Sequence, residues 1–142
     1  MKNENVIVSG KRKTAVARAV AKPGSGKITI NKKNYMHLEL LKRLVVEEPV
    51  RIAKENLGEL KFDIEVSARG GGQESQIEAS RLAIARALVA AEKKFGDAKK
   101  AESLRKAFLI YDRNMLVADI RRKEAYKPGD SKARSKRQKS YR

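Results

Sequence analysis

The sequence predicts an α+β domain, a mostly antiparallel four-stranded sheet with helices packed on one face, followed by an extended basic C-terminal tail. Three observations carry that expectation. Apolar and polar residues alternate in short segments, apolar residues recur at helical spacing in longer ones, and the apolar pattern dissolves beyond Asp119. The 142 residues suffice for one domain with extensions. We therefore place a globular domain at 1–119 and a tail at 120–142.

Asn5 to Ser9 (NVIVS) reads as a first strand and Thr14 to Lys22 (TAVARAVAK) as a second, with SGKRK as the turn between them. KPGSGK then supplies Pro23, Gly24 and Gly26 for a hairpin into KITIN, Lys27 to Asn31. From Asn34 the period changes. Met36, Leu40, Leu41, Leu44 and Val45 share one helical face until Pro49 stops or restarts the helix, and PVRIAKENL makes a short second helix ending at Gly58. In LKFDIEVSA, Leu60, Phe62, Ile64, Val66 and Ala68 alternate with Lys61, Asp63, Glu65 and Ser67, which predicts a strand with one face buried and one wet. Gly70 to Gly72 lead into SQIEASRLAIARALVAAEKKF, a long helix with a capping-box spacing at Ser75 and Glu78 and a stop at Gly96. AKKAESLRKAFLI is the last helix.

Charge is segregated along this plan. Residues 1–34 hold nine Lys or Arg against one Glu, net +8, and residues 120–142 hold ten against two, also net +8, whereas the residues between them are near neutral at +1. A near-neutral body with two basic ends points to a polyanion that receives the ends, nucleic acid first. An acidic membrane surface fits less well, because the chain shows no acylation motif and no apolar run near 18 residues. The start MKNENVIVSG lacks the apolar centre of a secretion signal, and with no cysteine there is no disulfide, thiolate or cysteine-zinc chemistry, so a cytoplasmic protein is expected.

GKRKT places Lys11, Arg12 and Lys13 in a turn suited to phosphate. PGSGKIT lacks the Gly and the Ser or Thr of a nucleotide-binding loop, having Ala21 and Ile28 at those positions, and reads as a hairpin turn. Arg69 with Gly70, Gly71 and Gly72 stands between a strand and a helix N-terminus, where free amides and the helix dipole favour an anion. In the arm, Arg121, Arg122, Lys123, Lys127, Lys132, Arg134, Lys136 and Arg137 are further candidate RNA contacts. Residues 132–142 cannot bury enough surface to order themselves, so their order must come from a partner. His37 stands alone, and Glu47 and Glu48 are adjacent on a helix and diverge. No catalytic set, metal site, cofactor or small-molecule substrate is expected.

Together these segments resemble the small-subunit ribosomal protein nine family. GGGQESQIEASRLAIARAL, Gly70 to Leu88, is similar to its signature, with three glycines, Gln76, small residues at Ala79, Ala83, Ala85 and Ala87, then Arg86 and Leu88. SGKRKTAVARAVAKPGSGKITIN, which contains Arg18, and SLRKAFLIYDRNMLVADIRRKE are similar to its N-terminal segment and to its last helix with the start of its tail. The ending KSYR looks like the archaeal and eukaryotic branch.

The resemblance implies the fold of ribosomal protein S five, domain two, which is shared with small-molecule kinases, and a structural rather than enzymatic role in the small-subunit head. It implies small-subunit ribosomal RNA, neighbouring head proteins and P-site transfer RNA as partners, adds Arg18 and Gln76 to the RNA contacts, and brings the tip residues Lys139, Ser140, Tyr141 and Arg142 to the transfer RNA. Tyr141 is able to stack on a base or ribose. A free-standing RNA-binding or annealing protein is the alternative; a small-molecule kinase is disfavoured, since no complete nucleotide loop is visible.

Overall fold

The structure, a computed structural model, describes residues 5–142. The reading of MKNENVIVSG as free of a secretion signal falls in part on residues 1–4, outside the described residues. Among the described residues there are five strands: β1 (Val6–Arg12), β2 (Ala15–Pro23), β3 (Ile28–Ile30), β4 (Lys33–Asn34) and β5 (Phe62–Arg69). Three helices accompany them: α1 (Leu40–Leu57), α2 (Gln73–Phe95) and α3 (Ala98–Tyr111). Short 3-10 turns occupy Tyr35–His37 and Arg113–Met115.

The sheet order is β1-β2-β5-β3-β4. Three pairings are antiparallel and β3–β5 is parallel, so the sheet is mixed and five-stranded, not four-stranded. The expected hairpin at KPGSGK is not formed either. β5 lies between β2 and β3, and local turn chemistry carries no information about a strand that arrives from thirty residues downstream. Instead, Ser25 and Lys27 donate their backbone N–H groups to Asp63 Oδ1, each at 2.9 Å, which ties the loop to β5. Those donations, that of Lys27 foremost, hold the Asp63 carboxyl below its ordinary pKa. The amides of this glycine-rich loop are thus occupied by a carboxylate of the same chain.

Alternation builds the core. Ala15, Ala17, Ala19 and Ala21 on β2, and Phe62, Ile64, Val66 and Ala68 on β5, are all buried on the helix side. α2 covers β1, β2 and β5, while α1 and α3 pack against α2 and against each other. Because β2 offers only alanines, and α2 answers with Ala79, Ala83, Ala87 and Ala91 at four-residue spacing, helix and sheet approach closely. Gly10 completes the fit: a Cβ there would meet Ala79 O and lie 2.7 Å from Ala83 N.

The first helix departs from expectation twice. It begins at Leu40 rather than Asn34, and it runs through Pro49 to Leu57 without a break. Its buried stripe is Val46, Pro49, Val50 and Ala53, whereas Met36, Leu40, Leu41 and Leu44 remain exposed. Both stripes have helical spacing, so periodicity could not say which one meets the core. At the start of α2, Gly72 is the N-cap and Ser75 lies inside the first turn, so the proposed capping box is not used.

Candidate nucleic-acid interface

β1 extends through Arg12, so Lys11 and Arg12 are strand residues on opposite faces and only Lys13 belongs to the turn, at φ 51°. Lys11 shares a row with Val16 and Arg69 on the sheet face away from the helices, and Arg18 occupies the next row. The β1–β2 turn and the glycine turn after β5 touch. A Cβ on Gly70 would lie 2.7 Å from Thr14 O, and Gly70 and Gly71 have φ of +76° and +62°, a region that glycine enters without steric cost.

One end of the sheet thereby gathers Lys11, Lys13, Arg18, Arg69 and the glycine turn. All four cationic residues are exposed and make no ion pair among the described residues. No side chain caps the start of α2, which leaves its first amides directed at this edge. Gln76 supports the turn from within, its Nε2 donating to Gly70 O at 3.0 Å.

Arg12 is engaged within the fold. Its side chain pairs with Glu78 and Asp119, and the bond to Asp119 is the first cause holding its pKa above the ordinary arginine value. Asp119 in turn accepts from Arg121 Nε and Nη2 at 2.9 and 2.7 Å. Arg121 is the principal cause of the Asp119 carboxyl lying far below the usual carboxylate range. This cluster fastens the root of the tail to the end of β1.

Beyond Met115 the described residues form no helix or strand, and almost every side chain from Ile120 onward is exposed. Most tail contacts are within the tail: Arg134 pairs with Glu124 at 3.0 Å, Arg137 donates to Gly129 O at 3.1 Å, and Lys123 sits 5.0 Å from the Tyr126 ring centre. Arg122 donates to Arg121 O at 3.0 Å. Lys127, Lys132, Lys136, Lys139 and Arg142 make no ion pair among the described residues.

Two internal arginines were not assigned their roles by sequence. Arg86 donates from Nε to Leu116 O and from Nη1 to Ser9 O, at 2.9 and 2.7 Å, and Arg81 pairs with Glu48 and Asp112 at 2.6 and 2.9 Å. Their signal was available: a cation inside an otherwise apolar helix stripe is buried only when it has partners. His37 is exposed on its 3-10 turn, Glu47 pairs with Arg43 and Arg51, and Glu48 faces Arg81 instead.

Fold and surface together define a basic α+β scaffold protein, with exposed cations collected at one sheet end and along an arm. The particular lineage follows from comparison: the family model described as ribosomal protein S9/S16 matches residues 10–142, and the chain belongs to that family. It is similar to the small ribosomal subunit protein uS9 of Methanococcus maripaludis, 47% identical over 139 residues that cover 94% of this chain and 95% of the relative. The corresponding protein of Thermoplasma volcanium is 45% identical over 139 residues, covering 96% and 98%. Membership makes this chain a ribosomal protein, a structural component rather than an enzyme.

Proposed function

We propose that this chain is a structural constituent of the small ribosomal subunit in the cytoplasm, that its 1–119 domain binds small-subunit ribosomal RNA in the head, and that its 120–142 tail reaches P-site transfer RNA. The observation that carries the reading is the set of exposed cations that make no ion pair among the described residues, Lys11, Lys13, Arg18 and Arg69, beside the glycine turn of Gly70 to Gly72. Cations not engaged by carboxylates are available to release counterions from phosphate, which is the main source of nucleic-acid affinity.

The tail fits the second part. Arg121 to Lys127 leave the body at the Asp119 clamp, and Lys132, Arg134, Lys136 and Arg137 follow on an arm slender enough to pass between phosphate backbones. Lys139, Ser140, Tyr141 and Arg142 form the tip that meets transfer RNA, with neighbouring head proteins packing on the body. No helix among the described residues is long and apolar enough to cross a membrane. The test is sedimentation of a lysate: the protein should remain with the small subunit through a high-salt wash, and release to the supernatant would refute permanent assembly.

A further inference from the structure

The sheet face turned away from the helices is uncovered among the described residues. Strands lie about 4.8 Å apart and successive residues of one face about 6.8 Å apart, so the Cα atoms of Lys11, Arg18 and Arg69 fall within roughly 10 Å of one another. Across β5, the turn between β3 and β4 adds Lys32. That turn is held in place: Asn31 N–H donates to Val66 O at 2.8 Å, and Ala68 N–H donates to Asn31 Oδ1 at 2.9 Å. A shallow depression results, lined among others by Arg18, Arg69, Lys32, Thr29, Asn31 and Ser67.

We propose that this open face is a docking surface for an RNA sugar–phosphate backbone, gripped by Arg18, Lys32 and Arg69. The proposal rests on the reading that the chain binds ribosomal RNA and adds where on the body a strand lies. Arg18, Lys32 and Arg69 make no ion pair or side-chain hydrogen bond among the described residues. Among the described residues the one carboxylate lining the depression, Glu65, faces Lys22 at 3.8 Å. Thr29 and Ser67 offer hydroxyls, and Asn31, whose Oδ1 is engaged, offers its NH2. Donors and spaced cations suit phosphate and ribose oxygens. No exposed aromatic ring lies on this face among the described residues, so the contact positions the RNA without reading its bases.

The backbone gives an independent pointer. Asn31 and Lys32 have φ of 49° and 69°, the left-handed pair of a tight hairpin turn whose second position favours glycine. Lysine is held there against its conformational preference, as happens where a side chain has work beyond the fold. Glycine would serve the turn as well or better, which separates fold from binding in an experiment.

The full chain, Lys32→Gly, and Arg18→Gln with Lys32→Gly should be compared for melting temperature and for binding to purified small-subunit ribosomal RNA across a salt series, with polyglutamate as competitor. Lys32→Gly should melt no lower than the unaltered chain. The double variant should bind more weakly, with a log-log salt slope flatter by about 1.4, two phosphate contacts at the single-strand coefficient. An unchanged slope while the unaltered chain binds RNA would overturn the proposal. So would polyglutamate that binds the unaltered chain but not the double variant and leaves bound RNA in place, since the face would then suit an acidic protein. If the unaltered chain fails to bind the RNA, the ribosomal-RNA reading itself falls, and this face with it, before any variant is compared.

Discussion

Gly71 is the residue at which fold and proposed function press hardest on one position. Its φ of +62° disfavours any side chain, and a Cβ would sit 3.2 Å from Thr14 Oγ1 and Ala15 N. Gly71→Ala and Gly71→Glu therefore share a backbone penalty of about 1–2 kcal/mol, visible as similar losses of melting temperature. Only the glutamate puts a carboxylate at the uncapped start of α2, where a phosphate would be favoured. We expect Gly71→Glu to bind ribosomal RNA at least about tenfold less tightly than Gly71→Ala, a difference of about 1.4 kcal/mol. Equal binding by the two variants would show that the turn matters for its shape and not for an anion.

Among the elements, α1 shows tertiary packing overriding local preference. Pro49 lacks the N–H that would reach Val45 O, and an internal proline costs a helix about 3 kcal/mol relative to alanine. The helix persists because Val46, Pro49, Val50 and Ala53 bury one stripe. Pro49→Ala restores the missing donor but removes buried ring methylenes worth about 0.8 kcal/mol each, plus a cavity term. These nearly cancel, so urea titration should place the variant within about 1 kcal/mol of the unaltered chain; a loss above about 2 kcal/mol would mean that the ring's packing outweighs the helix defect. Along β1, α2 guards the exposed edge of the sheet. Arg86 donates to Ser9 O and Lys94 to Asn5 O at 3.1 Å, so side chains already occupy carbonyls that a foreign strand would need.

On the scale of the whole molecule, nearly half of the net charge, +8 of +17 by residue count, falls on residues 120–142, which form no helix or strand among the described residues. Deleting Ser140 to Arg142 removes one cation, whereas deleting Lys132 to Arg142 removes six. The short deletion should leave small-subunit yield intact and weaken P-site transfer RNA binding. The long deletion should also lower yield and flatten the salt dependence of RNA binding by roughly four log-log units, taking full engagement of a single strand. Both truncations can be assayed side by side for yield and transfer RNA affinity. Equal loss of yield in the two would contradict a division between anchoring stem and transfer-RNA-contacting tip. The clamp of Arg12 and Arg121 on Asp119 sets where this arm departs, since it joins residues more than a hundred positions apart in the chain.

Sequence alone determined the features that depend on near neighbours or on totals. The alternation in Leu60 to Ala68 specified a half-buried strand, the glycines at 70–72 and 96 marked the ends of α2, and charge counting placed the excess positive charge at the two ends of the chain. Tertiary structure decided everything that required knowing what lies opposite. It inserted β5 between β2 and β3, chose Val46 and Val50 over Leu40 and Leu44 for the core, carried the helix through Pro49, and turned Arg12 inward to Glu78 and Asp119 while leaving Arg18 and Lys32 outward. The reason is physical: periodicity and turn preference are local energies of about 1 kcal/mol or less per residue. Strand order and side-chain partners are set by burial and ion pairing between segments whose proximity exists only in the folded chain.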